Sequence, residues 1–212
     1  KLNSMGITSV LDLVCASPLM IRDQFSVVMH RTLLELQGVS CIEIEQSPQA
    51  KKQIIASRSF GQKVYHSDDL KEAMTLYVQD AVSRLRNENL LCGCIIGFIQ
   101  SNPFDSSKPF YNKSLSFALP EPSDSSLLLS KIATAMIDGL HQKDIAFKKG
   151  GVILTCLEPK DSHIYDLFTD MNKVELSNKL MDSLDDIHSK FGKKKLGLGA
   201  SMLPNRNWNM SR

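Results

Sequence analysis

The sequence predicts an α+β protein in which a small helical domain precedes a domain built on a four-stranded sheet. Residues 1–40 show short runs with helical apolar spacing, whereas residues 52–160 alternate strand-like apolar runs with long amphipathic helices. Between them, residues 41–51 are polar and lack periodicity, which is typical of a linker. A hydrophobic fraction of 42% is enough to build a core.

The helical domain is predicted from its capping residues and apolar spacing. Thr8 or Ser9 can cap the first helix, because a side-chain oxygen there accepts from the free N–H groups of a helix start. Proline favours the first position of a helix, and glycine the position after its end. The predicted helices end at Cys15, begin at Ser17-Pro18, and cover residues 25–36 before Gly38.

The sheet domain, residues 52–160, is predicted to have the element order β-α-β-β-α-β. Two helices would cover one face of a four-stranded sheet and leave the other face free. We expect Pro120 and Pro122 to end the third strand. The predicted elements are a strand over 53–60, a helix over 67–89 capped by Ser67, strands over 90–101 and 112–119, a helix over 124–140 and a strand over 147–157.

The last part of the chain differs in charge from the sheet domain. Residues 51–160 carry 14 Lys and Arg against 11 Asp and Glu, a net +3, whereas residues 161–188 carry two against seven, a net −5. This segregation predicts interaction surfaces of opposite sign. Residues 171–212 are predicted to be a C-terminal region with a helix near 171–190, on which Asp185 and Asp186 are exposed, and an irregular tail.

Three short motifs are candidates for binding a phosphate backbone. One is the glycine turn before the first capped helix. This turn fits a helix-hairpin-helix, in which free N–H groups at the helix start hold a phosphate. It fits an ordinary tight corner between two helices equally well. The others are an Arg-Ser pair near a glycine and two lysines before two glycines, although solvated residues at strand ends would look the same. The candidate DNA-binding residues are Gly6, Thr8, Arg58, Ser59, Lys148 and Lys149.

Residues 161–170 contain apolar side chains in an acidic connection. Ile164, Tyr165, Leu167 and Phe168 are candidates for anchors that enter a partner's groove, with Asp166 between them. Burial of Leu167 and Phe168 would contribute roughly 1.5–3 kcal/mol each before ordering costs. The alternative is that these side chains pack onto their own domain.

The sequence shows no catalytic or metal-binding constellation. Five scattered cysteines, an odd number without matched histidines, favour free thiols in a reducing cytoplasm over disulfides or a metal site. No apolar run is long enough for a membrane span, and the start of the chain does not resemble a signal peptide. The cysteines are Cys15, Cys41, Cys92, Cys94 and Cys156.

Several segments together resemble the C-terminal half of a Y-family lesion-bypass DNA polymerase of the UmuC branch. "LNSMGITSVLDL" and "VVMHRTLLELQGVSC" resemble the end of the family's thumb, and "KKQIIASRSFG" resembles the entry into its little finger. "SNPF", "KKGGV" and the tail "GLGASMLPNRNWNMSR" are similar to runs of the UmuC branch. The resemblance covers nearly the whole chain. It implies a partial thumb over 1–40 and a DNA-binding little finger over 52–160.

The resemblance also implies partners and a missing catalytic centre. It places a sliding-clamp-binding peptide at Ile164 to Phe168, with Ile164 where the family usually has glutamine. Further implied partners are damaged template-primer DNA, UmuD′ and RecA. The carboxylates that hold Mg²⁺ for nucleotidyl transfer belong to the palm, so we expect these 212 residues alone, cut within the thumb, not to extend a primer.

Two other interpretations remain open from the sequence. The chain could be a stand-alone, non-catalytic DNA-binding or clamp-binding scaffold protein. It could also be an unrelated enzyme with a ferredoxin-like domain, for which an acid pair or a thiol in a pocket would be needed.

Overall fold

A computed structural model describes residues 1–42, 50–105, 109–192, 195–199 and 208. The chain forms two compact units, residues 1–50 and residues 51–212. No helix in these described ranges is long and apolar enough to cross a bilayer. The main elements are α1 (Val10–Val14), α2 (Pro18–Gln24), α3 (Val27–Leu36), β1 (Gln53–Val64), α4 (Ser67–Asn87), β2 (Leu90–Ser101), β3 (Asn112–Ser123), α5 (Ser126–Leu140), β4 (Phe147–Pro159) and α6 (Met171–Phe191).

The first unit consists of three short helices whose ends follow the predicted capping chemistry. The Ser9 side chain accepts from the backbone N–H of Asp12 in a capping box, and Pro18 occupies the first position of α2. Ser26, rather than Phe25, precedes α3 and accepts from a backbone N–H of its first turn. The predicted start at residue 25 was therefore wrong by two residues. Most of the predicted linker, residues 43–49, lies outside the described residues.

A small core holds the first unit together. Ile7, Leu13, Ile21 and Leu33 come from different parts of the unit, and each is at most 8% exposed. Burial of each such side chain contributes roughly 1.5–3 kcal/mol, so this cluster accounts for the mutual packing of three helices that are too short to be stable alone.

The second unit is built on a four-stranded antiparallel sheet with the strand order β1-β4-β2-β3. Helix α4 connects β1 to β2 across β4, and α5 connects β3 to β4 across β2. Both helices pack against the same side of the sheet, where one hydrophobic core forms. The predicted β-α-β-β-α-β order with helices on one face is confirmed. Fully buried core residues include Phe60, Leu70, Met74, Leu85, Ile95, Ile99, Leu129, Ile137 and Phe147.

Two details of the second unit differ from the prediction. Ser67 is the first residue of α4 and not its cap; His66 precedes the helix without a side-chain capping bond. Strand β3 continues through Pro120 and Pro122 to Ser123, although its pairing with β2 shifts after Ala118. Proline is tolerated there because β3 is an edge strand, where the missing N–H removes no hydrogen bond from a central ladder.

Helix α6, which belongs to the second unit, buries Met181 and Leu184, which are 2% and 7% exposed. Asp185 accepts two hydrogen bonds from Arg86, at 2.5 and 2.7 Å, and the Arg86 side chain is only 8% exposed. The interpretation of Asp185 as an exposed residue was therefore wrong, because the carboxylate neutralises a buried guanidinium. Asp186 is exposed as expected.

One tail residue contributes to the core of the second unit. Trp208 is 5% exposed in the hydrophobic cluster, and its carbonyl oxygen accepts from the Gly61 N–H at 3.0 Å. The rest of the predicted irregular tail lies largely outside the described residues, which within it are 195–199 and 208.

Candidate functional site

The sheet of the second unit has an open face, which is the side opposite to α4 and α5. Alternation along the strands directs every second side chain towards it. Cross-strand pairing arranges these residues in four rungs of four. In the strand order β1, β4, β2 and β3, the rungs are Gln53, Thr155, Cys94 and Ala118; Ile55, Ile153, Ile96 and Ser116; Ser57, Gly151, Phe98 and Ser114; and Ser59, Lys149, Gln100 and Asn112.

The open face offers hydrogen-bond donors and carries no carboxylate in its four rungs. Its one charged rung residue is Lys149, and the serines, Thr155, Gln100 and Asn112 provide neutral donors. Lysines and neutral side-chain donors are the groups that contact phosphate and sugar oxygens in protein–DNA complexes. A surface of this composition does not repel a polyanion and suits the backbone of a nucleic acid.

Ser59 and Lys149 lie together on the open face, but Arg58 does not. Arg58 is paired with Gly150 and lies two residues after the buried Ala56 on β1. Residues two apart on a strand share a face, so the Arg58 side chain is directed towards the helix-bearing face. Burial raises the pKa of Tyr77 on α4 to about 12, and the charge of Arg58 opposes part of this rise. A role for Arg58 in DNA binding stays a prediction, separate from the open face.

Lys148 lies at a β-bulge beside the open face. Lys149 and Phe147 are paired with residues of both neighbouring strands, whereas Lys148 has no opposite residue. Its Nζ atom donates to the carbonyl oxygen of Phe60 at 2.7 Å. The adjacent lysines therefore have different surroundings, and only Lys149 belongs to a rung.

A glycine allows the two strands beside Lys149 to approach each other. A Cβ atom at Gly151 would lie 2.3 Å from the Cβ of Ser57 and 2.7 Å from the Ala56 carbonyl oxygen. Such distances are far below van der Waals contact, so any side chain here would force β1 away from β4. Gly151 thus keeps the centre of the open face free of a side chain.

In the first unit, the hairpin formed by Gly6 and Thr8 binds a carboxylate of its own. Gly6 has φ +77°, as a tight turn requires. The backbone N–H and hydroxyl of Thr8 and the N–H of Ser9 donate to Asp12 Oδ2 at 3.0, 2.9 and 2.9 Å. Hydrogen bonds from Thr8 and Ser9 lower the pKa of Asp12 from 3.8 to about 2. The phosphate site predicted here stays untested, and a phosphate would have to displace this carboxylate.

The docking loop, residues 163–169, exposes apolar side chains. Ile164, Leu167 and Phe168 are 89%, 92% and 91% exposed, which contradicts the alternative that they pack onto their own domain. The Asp166 carboxylate accepts a hydrogen bond from the Phe168 N–H at 3.0 Å. The backbone carbonyl oxygen of Asp166 accepts a second one from the Thr169 N–H at 3.0 Å. A local turn therefore holds the apolar side chains outward.

Polar contacts attach both ends of the docking loop to β3. His163 Nε2 lies 2.5 Å from Glu121 Oε1, and the Thr169 hydroxyl donates to Glu121 Oε2 at 3.2 Å. The second nitrogen of His163, Nδ1, lies 2.6 Å from Glu158 Oε1. The ring of Tyr165 packs edge-on against His163 with centroids 4.5 Å apart.

Sequence reasoning missed several residues of these surfaces. Gln100, Asn112 and Ser116 belong to the open face, and the alternation within their strands carried the signal that could have found them. Glu121 and Thr169 contact each other across 48 positions, so no local pattern indicated their role.

Comparison with known proteins identifies the family. The model of the impB/mucB/samB family C-terminal domain matches residues 51–167, which is more than half of the chain. The chain belongs to the impB/mucB/samB family. The family's C-terminal domain thus includes all four strands of the sheet and the docking loop as far as Leu167.

Individual relatives agree with this family. The chain is 34% identical over 215 residues to protein UmuC of Salmonella typhimurium, covering 100% of this chain and 50% of the relative. It is 36% identical over 195 residues to protein MucB of Escherichia coli, covering 92% and 46%. DNA polymerase IV of Streptococcus agalactiae is 21% identical over 165 residues, covering 78% and 43%.

The chain spans about half the length of the curated relatives it matches, and the matched part is their C-terminal half. The resemblance predicted from the sequence is confirmed at the level of the family.

Proposed function

We propose that the chain is the DNA-holding C-terminal part of an error-prone lesion-bypass DNA polymerase that acts in SOS mutagenesis in the bacterial cytoplasm. Membership of the impB/mucB/samB family supports the proposal that the chain is part of a polymerase, since one relative of the chain is named DNA polymerase IV. The single observation that carries the DNA-holding role is the open face, four rungs without a carboxylate and with Lys149 at one end.

The open face would bind a template-primer duplex by its backbone. Neutral donors and Lys149 would contact phosphate oxygens, and the apolar centre formed by Ile96, Ile153 and Phe98 would contact sugars. Such contacts carry no sequence information, which suits a polymerase that must advance along damaged templates. Nucleotidyl transfer, with Mg²⁺, would take place in the palm of the parent protein.

The docking loop would bind a sliding clamp. Leu167 and Phe168 are neighbouring exposed side chains that could enter two adjacent parts of an apolar groove. A few backbone contacts hold DNA weakly, and attachment to a ring on DNA raises the local concentration of the polymerase at the primer end. UmuD′ and RecA are further proposed partners, for which the family is the support.

Fluorescence anisotropy with a labelled duplex tests the DNA-holding role. We expect weak binding that does not depend on base sequence, and Lys149→Ala should reduce the slope of log affinity against log salt by about one. Lys143→Ala, which removes an exposed lysine outside the rungs, is the matched control and should leave the slope unchanged. Equal slopes for the Lys149 variant and the parent chain would contradict the proposal.

A further inference from the structure

We propose that Glu121 is a positioning residue that holds the docking loop as a preformed recognition element for the clamp. This inference rests on the proposed function, in which the loop binds a sliding clamp. It concerns a residue that does not touch the clamp and acts through the shape of the loop.

One carboxylate closes the loop at both ends. Glu121 Oε1 lies 2.5 Å from His163 Nε2, and Oε2 accepts from the Thr169 hydroxyl at 3.2 Å. His163 and Thr169 are six residues apart, so the segment between them forms a short loop on β3. Holding both ends of a short segment removes most of the conformations that a free peptide of the same length would sample.

Further contacts fix the interior of the loop. His163 Nδ1 also lies 2.6 Å from Oε1 of Glu158 on β4, and Tyr165 packs on the His163 ring. The turn at Asp166 orients the residues that follow it. His163 and Thr169 thus contact β3, whereas Ile164, Leu167 and Phe168 remain about nine-tenths exposed.

A preformed loop changes what binding costs. A flexible peptide loses conformational freedom when it enters a groove, and this loss subtracts from the affinity that its apolar side chains provide. In the docking loop, folding of the domain has already removed much of that freedom. Loss of the Glu121 contacts should therefore weaken clamp binding although both apolar anchors remain.

Calorimetry of the 212-residue chain with a bacterial sliding clamp tests this directly. We expect Glu121→Ala to bind roughly tenfold more weakly than the parent chain, at the affinity of a synthetic peptide of residues 161–170. Glu175→Ala removes one exposed carboxylate on α6 that pairs with Lys179 and not with the loop, and it should bind as the parent does. Equal affinity of Glu121→Ala and the parent would overturn the proposal.

Amide hydrogen exchange without the clamp provides a second, independent readout. Exchange at Phe168 and Thr169 should become several-fold faster in Glu121→Ala, because their hydrogen bonds belong to the held loop. If Leu167→Ala/Phe168→Ala binds the clamp normally, the proposed function is wrong, while unchanged exchange in Glu121→Ala overturns the positioning role. Should Glu121→Ala not fold, Thr169→Val decides: about threefold weaker binding supports the role, and parental affinity overturns it.

Discussion

The open face and the docking loop are two exposed surfaces of the same unit with opposite chemistry. The open face is broad, mostly polar and assembled from all four strands, with no carboxylate in its rungs. The docking loop is short and apolar at its tip, and Glu121 contacts both of its ends. The first resembles a surface for a polyanion, and the second resembles a ligand for an apolar groove.

Because of this opposite chemistry, the two surfaces should respond differently to salt. Phosphate contacts release counterions, so their affinity falls steeply as salt rises. Burial of Leu167 and Phe168 depends on apolar area and is little affected by screening. A substitution on one surface should therefore leave binding at the other surface unchanged.

The largest effect is expected from Leu167→Ala/Phe168→Ala. Each side chain should contribute roughly 1.5–3 kcal/mol when buried, so clamp affinity should fall by at least about a hundredfold. Because both side chains are exposed by more than 90%, the melting temperature should not change. Calorimetry and thermal unfolding provide the two measurements. A lower melting temperature with normal clamp binding would mean that these residues are structural.

A carboxylate placed on the open face should have the next largest effect. Ser116→Glu puts a negative charge in the rung of Ile96, on an exposed position of β3. We expect duplex affinity to fall by about tenfold at low salt, whereas clamp affinity stays at the parental value. Ser116→Gln is the control of similar size without charge. Normal duplex binding by the glutamate variant would exclude the open face as the DNA site.

The adjacent lysines offer a finer test of the open face. Lys149→Ala should weaken duplex binding a few-fold, whereas Lys148→Ala should have a smaller effect because that ammonium group is bound to the Phe60 carbonyl oxygen. Anisotropy at several salt concentrations compares the two variants. If Lys148→Ala has the larger effect, DNA lies beyond the bulge and not along the rungs.

The fold was more predictable than the sites, and particular residues show why. Helical spacing and capping by Ser9 are local signals, so the elements and their order followed from the sequence. Strand β3 continues through Pro120 because β3 lies at the edge of the sheet. The order of the strands in the sheet, which no local pattern contains, determines this edge position. Arg58 lies two positions after the buried Ala56 on β1, and the spacing of these two residues places Arg58 on the helix-bearing face, away from Ser59 and Lys149.

The contacts that shape the sites are not local. Asp185 reaches Arg86 across 99 positions, and His163 reaches Glu121 across 42. Carboxylates with such partners look like ordinary solvated acids in the sequence. Their role depends on tertiary packing, which periodicity does not encode.

The smallest effect is expected at the hairpin of the first unit. Hydrogen bonds from Thr8 and Ser9 hold the Asp12 pKa at about 2, so their stabilising contribution is complete above about pH 3.8 and disappears as the pH falls to about 2. A carboxyl NMR titration should show this low midpoint, and Thr8→Val should change duplex affinity less than about twofold. A titration midpoint of Asp12 near 3.8 would instead mean that the Thr8 and Ser9 N–H groups do not bind the carboxylate, which would leave them available for a phosphate.

A parallel salt titration of duplex and clamp binding distinguishes two separate binding surfaces from a shared one. The same chain is measured with a labelled duplex and with a sliding clamp between about 50 and about 200 mM salt. We predict that duplex affinity falls steeply over this range while clamp affinity stays nearly constant, since separate surfaces of different chemistry bind the two partners. Parallel loss of both affinities, or duplex binding that does not respond to salt, would show that the two partners do not bind separate surfaces of different chemistry.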